Sequence, residues 1–328
     1  MLGPLKLRPI LKEKVWGGDR LAELAGKHVT PGARIGESWE LVDRADEESL
    51  IADGPHERES LTDLLKRRGD EIYGSGPGPA PNGRFPLLIK FIDAAEKLSV
   101  QVHPDDAYVR EHGLQDMGKS ECWYILDAPD EGLIMGLKEP VEPEALREAV
   151  RSGRIEEILR YQPIQAGELA FCPAGTVHSI TPPTALVEIQ QNSDLTYRLY
   201  DWHRVGLDGR PRELHVDQAI EVVKEVDPEV LKPQSRMLTV SPFVWEQLVD
   251  CDKFAVSRWQ VESRCMRKQR PDEFEILICI GGAGRIRTSE EADVEVWHGD
   301  TVLIPACLRD YAMAPQPKMT LLHAVGKE

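Results

Sequence analysis

Apolar and polar positions alternate with a period of two along much of this chain, in short segments broken by Gly and Pro. That pattern predicts a mainly β protein. Residues 5–16 read as an irregular strand, and 37–42 and 85–93 as two more. Gly17-Gly18 allows a tight turn before a short helix at 19–25. Helical spacing is confined to a few stretches. At 60–72 the apolar positions Leu61, Leu64, Leu65 and Ile72 follow Ser60, a residue suited to an N-cap. At 143–160 Leu146, Val150, Ile155, Ile158 and Leu159 predict a small helical insertion opened by Pro143. A further helix is expected at 216–225 and a linker at 229–235. Beyond Met237 come short β segments at 238–240, 254–261, 274–280, 285–288, 294–297, 301–304 and 319–324, the spacing of a sandwich or barrel. The expected division is therefore two β domains, 1–235 with the helical insertion and 236–328.

The chemistry concentrates between Lys97 and Tyr124. In Val100-Gln101-Val102-His103 alternate residues share a face, so Gln101 and His103 project together while Val100 and Val102 enter a core. Pro104 ends the pairing, and Asp105 or Asp106 can cap a helix over 107–112. The chain returns as a strand carrying Glu121, and a further ligand candidate, His178, closes the stretch 167–178. Gln101, His103, Glu121 and His178 read as one divalent metal site.

Other polar residues are less decided. Glu37 and Glu40 read first as a solvated strand face, with a role facing substrate or supporting the site as the alternative. Lys90, among Leu88, Ile89, Phe91 and Ile92, is either a snorkelling edge residue or a cation aimed into a polar pocket. Glu188, Gln190 and Asn192 share one face of a strand, and Thr196, Arg198 and Tyr200 one face of the next, which suits either a wet pocket or an exposed sheet face. The run Gly74 to Gly83 has glycines but holds three prolines and runs into a strand, so it is a surface loop and not a phosphate loop. Cys122 and Cys172 abut ligand positions and read as core filling. His298 and His323 read as core or surface histidines.

Composition narrows the partners. A net charge of −16 over 328 residues disfavours nucleic acid and anionic membrane surfaces, which need a basic footprint, and leaves an anionic small substrate open if a few Lys and Arg gather locally. No apolar run approaches a membrane span, and no secretory leader is visible at the N-terminus. Six Cys without a C-x-x-C pair read as the reduced thiols of a cytoplasmic protein.

The phrase Gly167 to His178 resembles the second motif of cupin barrels, G-x5-P-x-G-x2-H, at every fixed position. Gly299 to Pro305 repeats its frame, but Cys307 and Asp310 stand where Gly and His would follow, and no His pair follows Gly281-Gly282-Ala283-Gly284. Gln101-x-His103-Pro-Asp-Asp, Gly118-Lys119-x-Glu121-x-Trp-Tyr, Pro-Ala-Gly-Thr-x-His178 and Tyr197-Arg198-x-Tyr-Asp, in this order, resemble the type I phosphomannose isomerases in their short bacterial form. Trp16-Gly17-Gly18, 36–40 and 85–90 extend the likeness to nearly the whole chain. The resemblance implies two cupin-like jelly-roll barrels, the second without metal. It implies one zinc ion on His103, Glu121 and His178 with Gln101 as a weaker fourth ligand, although a site without thiolate also suits Mn, Fe or Co. It further implies Arg198 and Lys119 as catalytic residues, Lys90, Lys97 and Ser99 as substrate-binding residues, and interconversion of mannose 6-phosphate and fructose 6-phosphate through an enediol. Lys119 and Asp201 are both candidates for the base. A non-catalytic phosphosugar sensor, another cupin sugar-phosphate isomerase such as one acting on glucose 6-phosphate, and an Fe(II) oxygenase are the alternatives.

Overall fold

Strands dominate a computed structural model that describes residues 2–269, 273–289 and 293–327, and they gather into three sheets. The six-stranded sheet runs Ile10–Gly18, Ile35–Leu41, Leu87–Ala94, Thr184–Gln191, Glu121–Asp127, Leu169–Cys172. The five-stranded sheet runs Tyr197–Tyr200, Val100–Val102, His178–Ser179, Leu133–Leu137, Leu159–Gln162. Leu87–Ala94 and Thr184–Gln191 are buried along their whole length, which explains their almost unbroken apolar sequence: both faces are covered. On one face Leu87, Ile89, Phe91, Val187 and Ile189 pack with Phe254, Ile276 and Leu303 of the C-terminal sheet. On the other, Ile92, Leu186 and Trp123 pack with Met135 and Ile180 from the five-stranded side. Each large apolar side chain so buried contributes about 1.5–3 kcal/mol. The interior between these two sheets is where the site lies.

The outer face of the five-stranded sheet is covered by helices. Val100, Val102, Ile134 and Leu199 pack against Leu146 and Val150 of the helix Pro143–Arg151 and against Ala219 and Val222 of Val216–Val222. The helical insertion expected over 143–160 ends earlier than its apolar spacing suggests. Gly153, at φ 70°, stops the helix, one 3-10 turn follows at Ile155–Glu157, and residues 159 and 160 already belong to the strand Leu159–Gln162. The expected linker at 229–235 contains a short helix, Pro228–Leu231, which Asp227 caps by accepting from the Glu229 N–H at 2.9 Å and which buries Leu231. Ser60 caps Leu61–Tyr73, accepting from the Asp63 N–H at 3.2 Å. Of the two cap candidates before Asp106–Glu111, Asp105 is the cap, accepting from the Tyr108 N–H at 2.8 Å.

The C-terminal sheet has nine strands. Phe254–Val261, Val294–Trp297 and Thr301–Ile304 fall where alternation puts them. Gly281 to Gly284, expected as a loop, lies instead within the long strand Glu275–Arg287. Register shifts at Cys279/Gly281 and Gly282/Gly284 absorb the glycines as bulges, Gly282 with φ 73°. Val244–Asp250 and Cys265–Lys268 are additional strands that alternation did not reveal. The N-terminal strand Leu5–Lys6 also belongs to this sheet, with Leu5 opposite Leu303.

Candidate metal centre

Three separate segments deliver the centre. Val100 and Val102 anchor their strand in the helix-covered core, so Gln101 is turned inward, and His178 lies directly across the ladder from it. Glu121 opens the strand Glu121–Asp127. His103 Nε2 is 3.6 Å from one Glu121 oxygen and His178 Nε2 is 3.4 Å from the other. The ligand atoms of His103, Glu121 and His178 all lie within 4.8 Å of one another. The three side chains are at most 1% exposed.

Both imidazoles are oriented by main-chain carbonyls. His103 Nδ1 lies 2.8 Å from the Leu195 oxygen and His178 Nδ1 lies 2.9 Å from the Thr176 oxygen. Donating from Nδ1 leaves each Nε2 as a lone pair turned toward Glu121, with Lys119 approaching that of His103 and Gln101 that of His178, the outer-layer arrangement typical of metal-binding histidines. Burial pushes His178 down to about 4. Burial, with Lys119 adding to it, holds His103 well below the ordinary histidine range. Both are therefore neutral, the form that ligates. Glu121 is pushed up to about 7, above all by burial, against the pull of Lys119, whose Nζ is 3.0 Å from Oε2, while Oε1 has no hydrogen-bond partner. Two neutral imidazole nitrogens and a buried carboxylate, all within 4.8 Å of one another, are a donor set that fits a divalent cation. Gln101 stands beside them with its Nε2 3.2 Å from His178 Nε2 and its Oε1 3.3 Å from Ser99 Oγ. A half-turn of this amide presents a carbonyl oxygen as a further ligand.

Cationic side chains approach the same place. Lys119 Nζ is 3.1 Å from His103 Nε2 and 3.0 Å from Glu121 Oε2, lodged among the candidate ligand atoms. Lys90 is buried, with Nζ 2.9 Å from both Glu188 Oε1 and Gln190 Oε1 and its charge 5.4 Å from the Trp39 ring centre. Lys90 is thus a buried, paired cation and not a snorkelling edge residue. Glu188, held below the usual carboxylate range by Lys90 despite its burial, also accepts from Trp123 Nε1 at 3.1 Å. Arg198 sits opposite Gln101 in register, so Arg198, Gln101 and His178 form one row across three strands. Its Nε is buried without a partner, and one terminal nitrogen donates to the Glu213 carbonyl at 2.8 Å.

Not every expected residue arrives here. Lys97 is turned to Glu156 at 3.2 Å and to the face of Trp202. Asp201 is gripped by Arg204 at 3.0 Å and Arg212 at 2.7 Å, which leaves it poorly placed as a free base. Cys122 fills the core against the C-terminal sheet, and on the opposite face Cys172 fills the core beside the site. It lies opposite Glu121 with Sγ 3.2 Å from His178 Nδ1, because its partner in the ladder is the ligand itself. Glu37 and Glu40 are buried and not solvated: Glu37 accepts from Trp39 Nε1 at 2.8 Å and Glu40 pairs with Lys27 at 2.7 Å. The face carrying Glu188 and Gln190 is likewise closed, while Asn192 bonds the Asp43 and Phe85 carbonyls. Glu37, Trp39 and Trp123 were not singled out as pocket residues by sequence; the signal available was a lysine in an apolar strand, which demands a buried carboxylate nearby. His323, stacked on Trp259 at 4.1 Å, and His298 are not ligands of this centre, which is the single such group among the described residues.

Residues 5–127 match the catalytic-domain model of the type I phosphomannose isomerases, and 245–323 match the cupin-domain model of mannose-6-phosphate isomerase. Mannose-6-phosphate isomerase ManA of Bacillus subtilis is 32% identical over 98% of this chain and 98% of its own length. Mannose-6-phosphate isomerase of Streptococcus mutans is 32% identical over 95% of each. The crystal structure of the mannose 6-phosphate isomerase from Bacillus subtilis superposes with a TM-score of 0.88 at 31% identity, covering 98% of this chain and 99% of the other. End-to-end likeness in sequence and structure, around a His-Glu-His centre on cupin sheets, establishes that the chain belongs to the type I phosphomannose isomerase family.

Proposed function

We propose that this chain interconverts mannose 6-phosphate and fructose 6-phosphate at a zinc centre held by His103, Glu121 and His178, with Gln101 as a fourth ligand. The observation that carries the proposal is the convergence of the His103 and His178 ring nitrogens and the buried Glu121 carboxylate within 4.8 Å of one another, with Lys119 beside them. An aldose-ketose shift takes a proton from C2, returns one to C1 and passes through an enediol. A bound zinc ion would polarise the substrate's hydroxyl and carbonyl oxygens. Arg198, planar and permanently charged, meets the enediolate oxygens from the same row as Gln101. Lys119 carries the proton, and it is favoured over Asp201 because Asp201 is already held by two guanidiniums. Ser99 supports Gln101, and Lys90 fixes Glu188 and Gln190 behind the pocket.

We further propose that 1–235 forms the catalytic domain and 236–328 a metal-free cupin domain, with the strand Leu5–Lys6 lent to the second sheet. Six unpaired cysteines favour the cytoplasm, and no helix among the described residues is long and apolar enough to cross a membrane. The test is a coupled assay on mannose 6-phosphate with and without chelator. Turnover that disappears with chelator and returns with zinc supports the isomerase; sugar-phosphate binding without turnover would replace it with a sensor.

A further inference from the structure

The segment that carries Lys119 into the centre is held by a chain of contacts that begins in the C-terminal sheet. Lys253 sits at the tip between Val244–Asp250 and Phe254–Val261, with its carbonyl accepting from the Lys327 N–H at 2.9 Å. Its ammonium is 3.0 Å from Asp106 Oδ2. Asp106 Oδ1 accepts from the Gly118 N–H at 2.7 Å, and its two oxygens lie 3.3 and 3.2 Å from Gln191 Nε2. Gln191 completes the path: its Oε1 accepts from the Ser120 N–H at 2.9 Å, and its own N–H donates to the Ser120 carbonyl at 3.0 Å. The residues on either side of Lys119 are thus tied to one carboxylate, and that carboxylate is paired across to the C-terminal sheet. The fit has no slack, since a Cβ on Gly118 would meet the Asp106 nitrogen at 2.4 Å.

We infer that Lys253 is a positioning residue for the reaction: through Asp106 it sets the backbone of 118–120, and hence where Lys119 stands against His103 and Glu121. This rests on the isomerase assignment above. It gives the metal-free sheet a part in the chemistry, as the far wall of the catalytic segment.

The test uses the full chain loaded with zinc. Lys253→Met is expected to lower kcat about tenfold, the scale set by a small misplacement of a reacting group, with KM changed less than about twofold. Zinc content should stay the same and Lys253→Arg should restore most of the rate. Amide exchange should quicken at Gly118 and Ser120 and stay unchanged in the strand Glu275–Arg287. Asp106→Asn should show a similar loss, and the double variant should be no worse than either single one, because both break one link. Unchanged kcat in Lys253→Met, losses that multiply in the double variant, or exchange that rises across the whole C-terminal sheet would overturn the inference. A wild-type chain without turnover would instead remove the isomerase assignment, while the exchange measurements still decide whether the link exists.

Discussion

At the scale of single residues, the centre is a set of lone pairs aimed inward by hydrogen bonds made on the other side of each ring. His178 donates Nδ1 to its own neighbourhood, the Thr176 carbonyl, so its removal deletes a ligand without unsettling a distant element. His178→Ala is expected to drop bound metal from about one per chain to below about a tenth and to abolish turnover with an unchanged far-ultraviolet circular dichroism spectrum. Elemental analysis after desalting checks it. Arg198→Ala should keep the metal and lower kcat by about 10²- to 10³-fold, the range for removing one stabiliser of developing charge; steady-state kinetics on the zinc-loaded variant decides this. That Gln101 and His103 stand together was legible in the sequence because strand alternation is local: they share a face whatever the rest of the fold does. What was illegible is what register decides. Glu188 meets Lys90 because Thr184–Gln191 pairs with Leu87–Ala94, and the two residues stand 98 positions apart in the chain. The closeness of Cys172 to His178 was hidden for the same reason, since its face follows from its pairing with Glu121.

At the scale of elements, the departures from expectation come where glycine permits two outcomes. Gly153 ended a helix that apolar spacing alone would have continued, and Gly281 to Gly284 were absorbed into a strand as bulges where a turn was equally compatible with composition. That long strand begins with Glu275, whose carboxylate is 3% exposed. It accepts from Arg267 at 2.6 Å and Tyr311 at 2.7 Å and lies 3.3 Å from His323 Nε2. Although burial opposes it, the His323 contact, Arg267 and Tyr311 together carry this group from 4.5 down to about 2. A carboxylate with a lowered folded-state pKa contributes stability that is full above about 4.5 and is lost as pH falls toward 2. At about 1.4 kcal/mol per unit the contribution near neutrality is on the order of 3 kcal/mol. Glu275→Gln should therefore be less stable than the parent at pH 7 by about that amount, with the gap narrowing as pH falls below 4.5. Urea titrations at pH 7 and pH 3 check the sign, and a gap that widens in acid would contradict it.

At the scale of the whole molecule, the six-stranded sheet and the C-terminal sheet share one apolar interface, and a buried ion pair lies in it. Lys27 and Glu40 are 2.7 Å apart with side chains 5% and 1% exposed. Ser38 Oγ donates to the other Glu40 oxygen at 2.6 Å, and Lys27 also donates to the Gly299 carbonyl of the C-terminal part. Periodicity could not find this pair, because a strand covered on both faces gives no polar face on which to place a glutamate, and Glu40 was accordingly read as solvated. The energetics of such a pair are asymmetric: forming it barely offsets the desolvation of two charges, whereas deleting one partner strands the other. Lys27→Met is expected to destabilise the chain by about 3–5 kcal/mol, since Glu40, already raised by burial, would be left without its cation. Lys27→Met combined with Glu40→Leu should regain most of that loss, because an apolar pair of similar volume needs no compensation. Thermal and urea unfolding of the single and double variants, with zinc content measured alongside, separates the two cases. Zinc should remain near one per chain throughout, as it should in Asp310→Ala, because the ligand group lies on the far side of the six-stranded sheet's wall from Lys27 and the second sheet offers no comparable group among its described residues. A double variant as unstable as the single one would mean that the pair holds the sheets in register and not merely that a lone buried carboxylate is costly.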